Sequence, residues 1–299
     1  MHPLASDREA FGCFSEVAEG CQRKLSRTLE PQKDYKSYEL MKPEELINHA
    51  FASEVFDAAR PAMTAEHDYV LRHGHGAEYV PDEYECYLMR VGYSLASLLC
   101  HCEQLSYGIF FMSNFRMTSA MARAGIIRTK HLRYSIENYI IRTQTLYDLV
   151  LKLVDAVFHL KNADSQCRHA TIVQNLKVKR TAVPDALKPL QKKLNEFQKA
   201  RHNVIHSAYQ DDDLCRLENY STLEEIHRRS GDEFPDDLAF VPKAREEMTR
   251  ETIRKRKAQY TRFNSRAFKL VSDVLTALHV HFTEERRRLG LVTGRNAKP

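Results

Sequence analysis

The sequence predicts an all-α protein built as a helical bundle, and two observations carry that prediction. Gly and Pro, the residues that most often interrupt regular structure, number only ten each in 299 residues. Several long stretches repeat apolar residues every three or four positions, the spacing of one buried helix face. Trp is absent, but 14 Tyr and 14 Phe supply aromatic packing. A chain of this length can bury a substantial core as one domain or two.

Composition also narrows the class of function. No apolar run approaches the roughly 18 residues of a membrane span, so no membrane partner is expected. The opening Met1-His2-Pro3-Leu4-Ala5-Ser6-Asp7 has neither the basic nor the apolar part of a signal peptide, and the expected location is cytoplasmic. Seven Cys are odd in number and scattered without a C-x-x-C pair. That indicates neither a disulfide framework nor a zinc module, and the cysteines read as buried reduced thiols. A formal charge of +5 suits a polyanionic partner without requiring one.

Taken in order, residues 1–80 read as an N-terminal helical region, with helix-like pieces at Glu9 to Leu25 and Pro43 to Arg60 and a loop at Gly74-His75-Gly76. Residues 81–299 read as the main helical domain. Asp82 is placed to cap a helix whose seam is Tyr84, Leu88, Val91, Leu95 and Leu98, running to about Leu105. A second long helix covers roughly Ala124 to Leu160. At about 100° per residue, Glu137, Gln144, Asp148 and Asp155 form a polar stripe beside its apolar face, where a carboxylate can meet a cation from a neighbouring helix or simply face solvent. A short helix follows near Ser165 to Lys177, and Pro184 opens the next.

Residues 211–237 hold ten acidic residues against three Arg, with Gly231 and Pro235 as breakers. This is the signature of an exposed acidic loop insertion, bounded at about 210–241. Within it Ser221-Thr222-Leu223-Glu224 matches a capping box for a short helix. From Pro242 to Leu289 runs a charged helix or helix pair. Its first part carries Arg250, Arg254, Lys255, Lys257 and Arg262, the best candidates for a surface that binds a polyanion such as RNA, although a solvated helix face is the more common explanation of such a run.

The stretch with the most chemistry is Arg201-His202-Asn203-Val204-Ile205-His206. The seam Leu187, Leu190, Leu194, Phe197 continues to position 201, where an apolar residue is expected and Arg stands. An isolated buried guanidinium is strongly unfavourable, so this Arg must be paired, hydrogen-bonded, or facing a cleft or a partner subunit. Arg201 and His206 diverge by about 140° on one helix and cannot both face one small ligand, whereas two copies across a twofold axis can bring them together. RNA cleavage requires a group to take the 2′-hydroxyl proton, a group to protonate the leaving 5′-oxygen, and a cation on the phosphate. Histidine and arginine suit those tasks without a metal or other cofactor.

These residues resemble the R-x4-6-H signature of the HEPN superfamily, with His202 at the polar position after the Arg. The helical setting over residues 81 to 289 resembles it too. The resemblance implies a dimerising helical bundle and, in many members, a metal-independent endoribonuclease of toxin-antitoxin or antiphage defence systems. It implies that Arg201 holds the phosphate, His206 is the acid-base residue and His202 a polar helper, with RNA as substrate, a homodimer forming a composite active site, and an antitoxin or regulatory protein as partner. Asn203 and Tyr209 are candidate hydrogen-bonding neighbours, and Glu137 or Asp148 the candidate partner of Arg201. Some HEPN toxins carry R-x4-H-x-Y with a modified tyrosine; here Tyr209 stands one position too far.

Two rival readings use the same residues. In one, Arg201 reaches out of the seam on its long stem and His206 caps a helix end, leaving a HEPN-like module that binds RNA or protein without cutting. In the other, His202 and His206, at i and i+4, are metal ligands of a phosphohydrolase. No Glu follows His202 as in H-E-x-x-H. Glycine-rich nucleotide motifs and the G-x-S-x-G elbow are also absent from the sequence.

Overall fold

The computed structural model describes residues 41–74, 78–206, 211–230 and 238–294. These residues are helical, with no strand among them, which is the all-α class the spacing predicts. The expected helix at Glu9 to Leu25 lies outside the described residues, as does Tyr209. In chain order the helices are α1 (Pro43–Ile47), α2 (Ala50–His73), α3 (Glu83–Ser113), α4 (Ser119–Arg123), α5 (Arg128–Val157), α6 (His169–Gln174), α7 (Leu176–Lys179), α8 (Val183–Leu194), α9 (Gln198–His206), α10 (Asp212–Ser230) and α11 (Val241–Val292).

Helix α3 begins where the sequence predicts. Asp82 Oδ1 accepts the Glu85 N–H at 2.8 Å, and the Glu85 carboxylate accepts the Asp82 N–H at 3.3 Å, so two otherwise unpaired donors are satisfied reciprocally. The helix does not stop near Leu105. It runs through Gly108 because Ile109 and Met112 continue the buried face for another two turns. Gly92 serves a different purpose: a Cβ there would stand 3.0 Å from Ala59 Cβ, so its absence lets α2 lie directly against α3.

The centre of the fold is the α3–α5 pair. Leu95, Leu98 and Leu105 from α3 meet Ile136, Leu146 and Val150 from α5, all fully buried, each contributing about 1.5–3 kcal/mol by leaving water. Two polar bridges fix the pairing. His101 Nε2 donates to the Arg142 carbonyl at 2.8 Å, and the Tyr87 hydroxyl donates to the Val157 carbonyl at 3.1 Å. In the Cys100-His101-Cys102 run, Cys100 is exposed while its two followers are buried, as consecutive helix positions should be.

The last described helix, α11, spans 52 residues without a break and packs against α1, α2, α3, α5, α8 and α10. It is one helix and not a pair. The acidic stretch differs from the loop insertion expected: most of it is α10, a 19-residue helix lying on α5 and α11. The reason is that Leu214 and Leu217 are both fully buried, a short apolar stripe that the surrounding acids conceal in the composition. Ser221 does not open a helix. It lies within α10, where its buried hydroxyl donates to the Leu217 carbonyl at 2.8 Å and meets Thr129 Oγ1 of α5 at 2.8 Å.

Candidate functional site

The segment bearing the Arg201 motif is not the straight continuation of α8. Between α8 and α9 lies a 3-10 turn, Asn195–Phe197. Such a turn advances by about 120° per residue instead of 100°, so three residues rotate the following helix by roughly 60° relative to the seam. The inward positions thereby become Phe197, Ala200 and Val204, and Arg201 falls just outside. The expectation that Arg201 occupies the buried seam is therefore corrected: Arg201 is exposed, as are His202 and His206. The charge escapes burial through a local change of helical phase.

Beneath α9 the floor is aromatic. Phe197 packs edge-on against Phe263 (4.7 Å between centroids) and Tyr139 (6.0 Å), and Tyr139 stacks on Tyr260 at 3.8 Å. The Tyr139 hydroxyl donates to Asn264 Oδ1 at 2.8 Å, tying α5 to α11 below the motif. Gln144 Nε2 donates to the Leu194 carbonyl at 2.6 Å, holding the end of α8 on α5. The platform is buried, while the motif above it faces solvent.

The polar stripe of α5 resolves into four separate roles. Asp155 is buried and ion-paired with Arg90 of α3, and its other oxygen accepts from Asn162 Nδ2 at 2.7 Å. Gln144 serves the α8 end, as above. Glu137 lies 3.8 Å from Arg133 Nε, which reaches Glu218 of α10 at 2.9 Å. Partial burial pushes the Glu137 carboxyl up, Arg133 draws it down and Glu218 pushes it up again. Asp148 is the member near the motif. Partial burial raises its carboxyl, and the charges of Arg201 and then Lys152 lower it.

Within α9 the His202 and His206 rings lie 4.9 Å apart at 44°. Among the described residues no group of three or more His, Cys, Asp and Glu is arranged to hold a metal ion. Asn203 is half-buried on the same helix. The basic run on α11 is largely matched by acids: Arg250 with Glu246, Arg254 with Glu251 at 2.7 Å, and Lys255 with Asp213 at 3.7 Å. Lys257 and Arg262 are exposed, the latter donating to the Ala258 carbonyl at 3.1 Å. Sequence reasoning missed Arg133 and Thr129, which dock α10, and read Ser221, their neighbour in that contact, only as a cap. No spacing signal marks them, because their partners lie about 90 residues away.

Two of the cavities among the described residues lie away from α9. One, of about 380 Å³, surrounds Arg90, Asp155, Lys152 and Cys167; the other, of about 430 Å³, lies between α10 and the start of α11, at Ser221, Glu224 and Arg245. Arg201, His202 and His206 lie on an exposed surface of α9.

The model of Cthe2314-like HEPN domains matches residues 93–256, more than half of the chain. The matched span runs from α3 into the first part of α11 and contains the whole of α9. The chain belongs to the HEPN superfamily, with a HEPN-type, nucleotide-related function. Neither the curated proteins nor the solved structures yield a match. Among the described residues no helix is long and apolar enough to cross a membrane.

Proposed function

We propose that this protein is a metal-independent endoribonuclease acting as a homodimer, with Arg201 and His206 in a composite cleft between two copies of α9. The observation that carries the reading is the solvent-open face of α9, where Arg201, His202 and His206 are all exposed above a buried aromatic floor. A cation and an imidazole kept out of the core at this cost in ordinary helical phase are available to a phosphate. Because the two diverge around the helix, one copy cannot aim both at one phosphodiester, and a twofold partner supplies the complement.

In this cleft Arg201 holds the phosphate oxygens through its fork and stabilises the charge that develops on them. His206 moves the protons, taking one from the 2′-hydroxyl or giving one to the 5′-oxygen. His202, one helical turn from His206, orients it or the substrate. Asp148 biases the placement of Arg201 through its charge. A toxin or antiphage role, with an antitoxin or regulatory protein as partner, is the cellular setting that fits such an enzyme, and the cytoplasm its compartment.

The test is cleavage of a mixed RNA pool by wild type and by His206→Ala, each with and without EDTA. The expected result is EDTA-resistant cleavage with 2′,3′-cyclic phosphate ends, lost in His206→Ala. Cleavage abolished by EDTA transfers the pair His202 and His206 to a metal site. RNA binding with no cleavage under any condition leaves a binding module. Mixing Arg201→Ala with His206→Ala protein tests the composite cleft: recovery of activity in the mixture requires both copies to contribute to one site.

A further inference from the structure

Residues 104–136 contain five Lys or Arg and no Asp or Glu. The fold gathers this run at one end of the bundle, where α3 finishes, the short α4 follows and α5 starts. Phe110 and Phe111 stand there 54% and 59% exposed, ring against ring at 5.9 Å, with Met117 49% exposed nearby in the chain. Among the described residues Arg116, Arg123, Arg128 and Lys130 form no ion pair; of the five cations only Arg133 does. Lys130 donates to the Gly125 carbonyl at 3.0 Å, and the buried Nε of Arg128 has no hydrogen-bond partner among the described residues.

The contrast with α11 is physical. There Arg245, Arg250, Arg254, Lys255 and Arg256 each meet a carboxylate, so most of the charge is already neutralised. At the α3–α5 tip four of the five cations meet no carboxylate among the described residues, and the same stretch of chain carries the exposed Phe110 and Phe111 rings. Unpaired cations that track phosphates, together with rings on which bases stack, are the two parts of a single-strand platform. A route also leads away from it. Tyr134, Ile141 and Asp148 are all exposed and recur every seven residues on α5, so they share one face over about 21 Å of helix. That line ends at the carboxylate under the influence of Arg201. A flat bilayer could not follow such a path along the side of the bundle, whereas a flexible polyanion can.

We propose that the α3–α5 tip is a binding platform for single-stranded RNA, which it leads along the Tyr134–Ile141 face toward α9. The destination rests on the ribonuclease reading; the binding itself does not. The measurement is anisotropy of a labelled single-stranded 20-nucleotide RNA with full-length His206→Ala protein, so that the probe stays intact. In that background, Arg116→Ala with Arg123→Ala and Lys130→Ala lowers affinity at least about tenfold and reduces the salt slope by about 2. Phe110→Ala with Phe111→Ala lowers affinity about fivefold and leaves the slope unchanged. Arg72→Ala with Arg287→Ala, two exposed cations on α2 and the far part of α11, changes affinity less than about twofold, a control for general charge.

Single Arg116→Gln and Arg123→Gln proteins, each checked by thermal melting, keep the test informative if the triple variant fails to fold; each weakens binding two- to threefold. Absent binding by the parent, or binding by the tip variants equal to the parent, overturns the platform. So does retention on phosphatidylserine vesicles that the tip variants lose while RNA is not bound, which reassigns the tip to a membrane surface. The two readings fail separately. Cleavage by wild type with unaltered tip variants sinks the platform alone, and tip-dependent binding without cleavage by wild type sinks the ribonuclease alone.

Discussion

The two faces of α5 meet opposite surroundings. Toward α3 its side chains are fully buried and locked by the His101 and Tyr87 bridges; toward α9 it presents Ile141 and Asp148 to solvent. One helix therefore anchors the fold with one side and borders the candidate site with the other. Stability and chemistry should be separable by substitution, because they rest on side chains that do not touch.

The sharpest way to test that separation is His206→Ala. Loss of an acid-base group in the proposed cleft lowers cleavage by about 10²–10⁴-fold, while the urea midpoint stays at the wild-type value because the residue is exposed. Coincident loss of stability would break the comparison. The reverse experiment is Leu146→Ala on the inner face, fully buried: about 3 kcal/mol of stability is lost by cavity formation, with kcat unchanged in the protein that remains folded. A smaller effect is expected at the α10 clamp. Thr129→Val leaves the Ser221 hydroxyl with its Leu217 acceptor alone and destabilises by about 1 kcal/mol, read as earlier exchange of α10 amide protons.

The pH dependence of stability distinguishes the faces as well. Burial holds His101 below its ordinary value, the hydrogen bond to the Arg142 carbonyl opposes this, and the Arg142 charge adds to it. His159 is likewise lowered, first by burial. For a group whose folded value is depressed, the unfolded chain binds the extra proton. Stability is then present above the ordinary histidine value of about 6.5 and falls as pH drops below it. The melting temperature should decline between pH 7 and pH 5, and His101→Gln should flatten that decline. An unchanged slope would show that His101 is not a source. The smallest effect belongs to exposed pairs: Arg250→Ala, which removes an exposed partner of Glu246, shifts stability by less than about 0.5 kcal/mol.

The core-forming helices were legible because they repeat. Leu88, Val91, Leu95 and Leu98 lie on the predicted buried face, and Asp82 caps it. The R-x4-H motif was visible as residue identities, and so was its family. Its orientation was not. A three-residue 3-10 turn leaves no mark in apolar spacing, yet it decides whether Arg201 points inward. Helix α10 was obscured differently: two leucines hold it down, too few to outweigh an acidic composition. The partner of a stripe carboxylate was the least legible of all, since Arg90 and Asp155 are 65 positions apart and both types occur throughout the chain.

The span of α11 has a consequence for the newly made chain. The apolar faces of α3, α5 and α8 are closed by residues 241–292, which leave the ribosome after all of them. At about 5–20 residues per second, translating those 52 residues takes roughly 3–10 s. During that interval the earlier helices carry uncovered leucine and phenylalanine surface, a target for chaperones and for aggregation. The aromatic floor beneath Phe197 also lacks Tyr260 and Phe263 until then. Maturation of the α9 surface is thus coupled to translation of the final helix, and a transcript truncated before it should give rise to protein that is degraded before it can act.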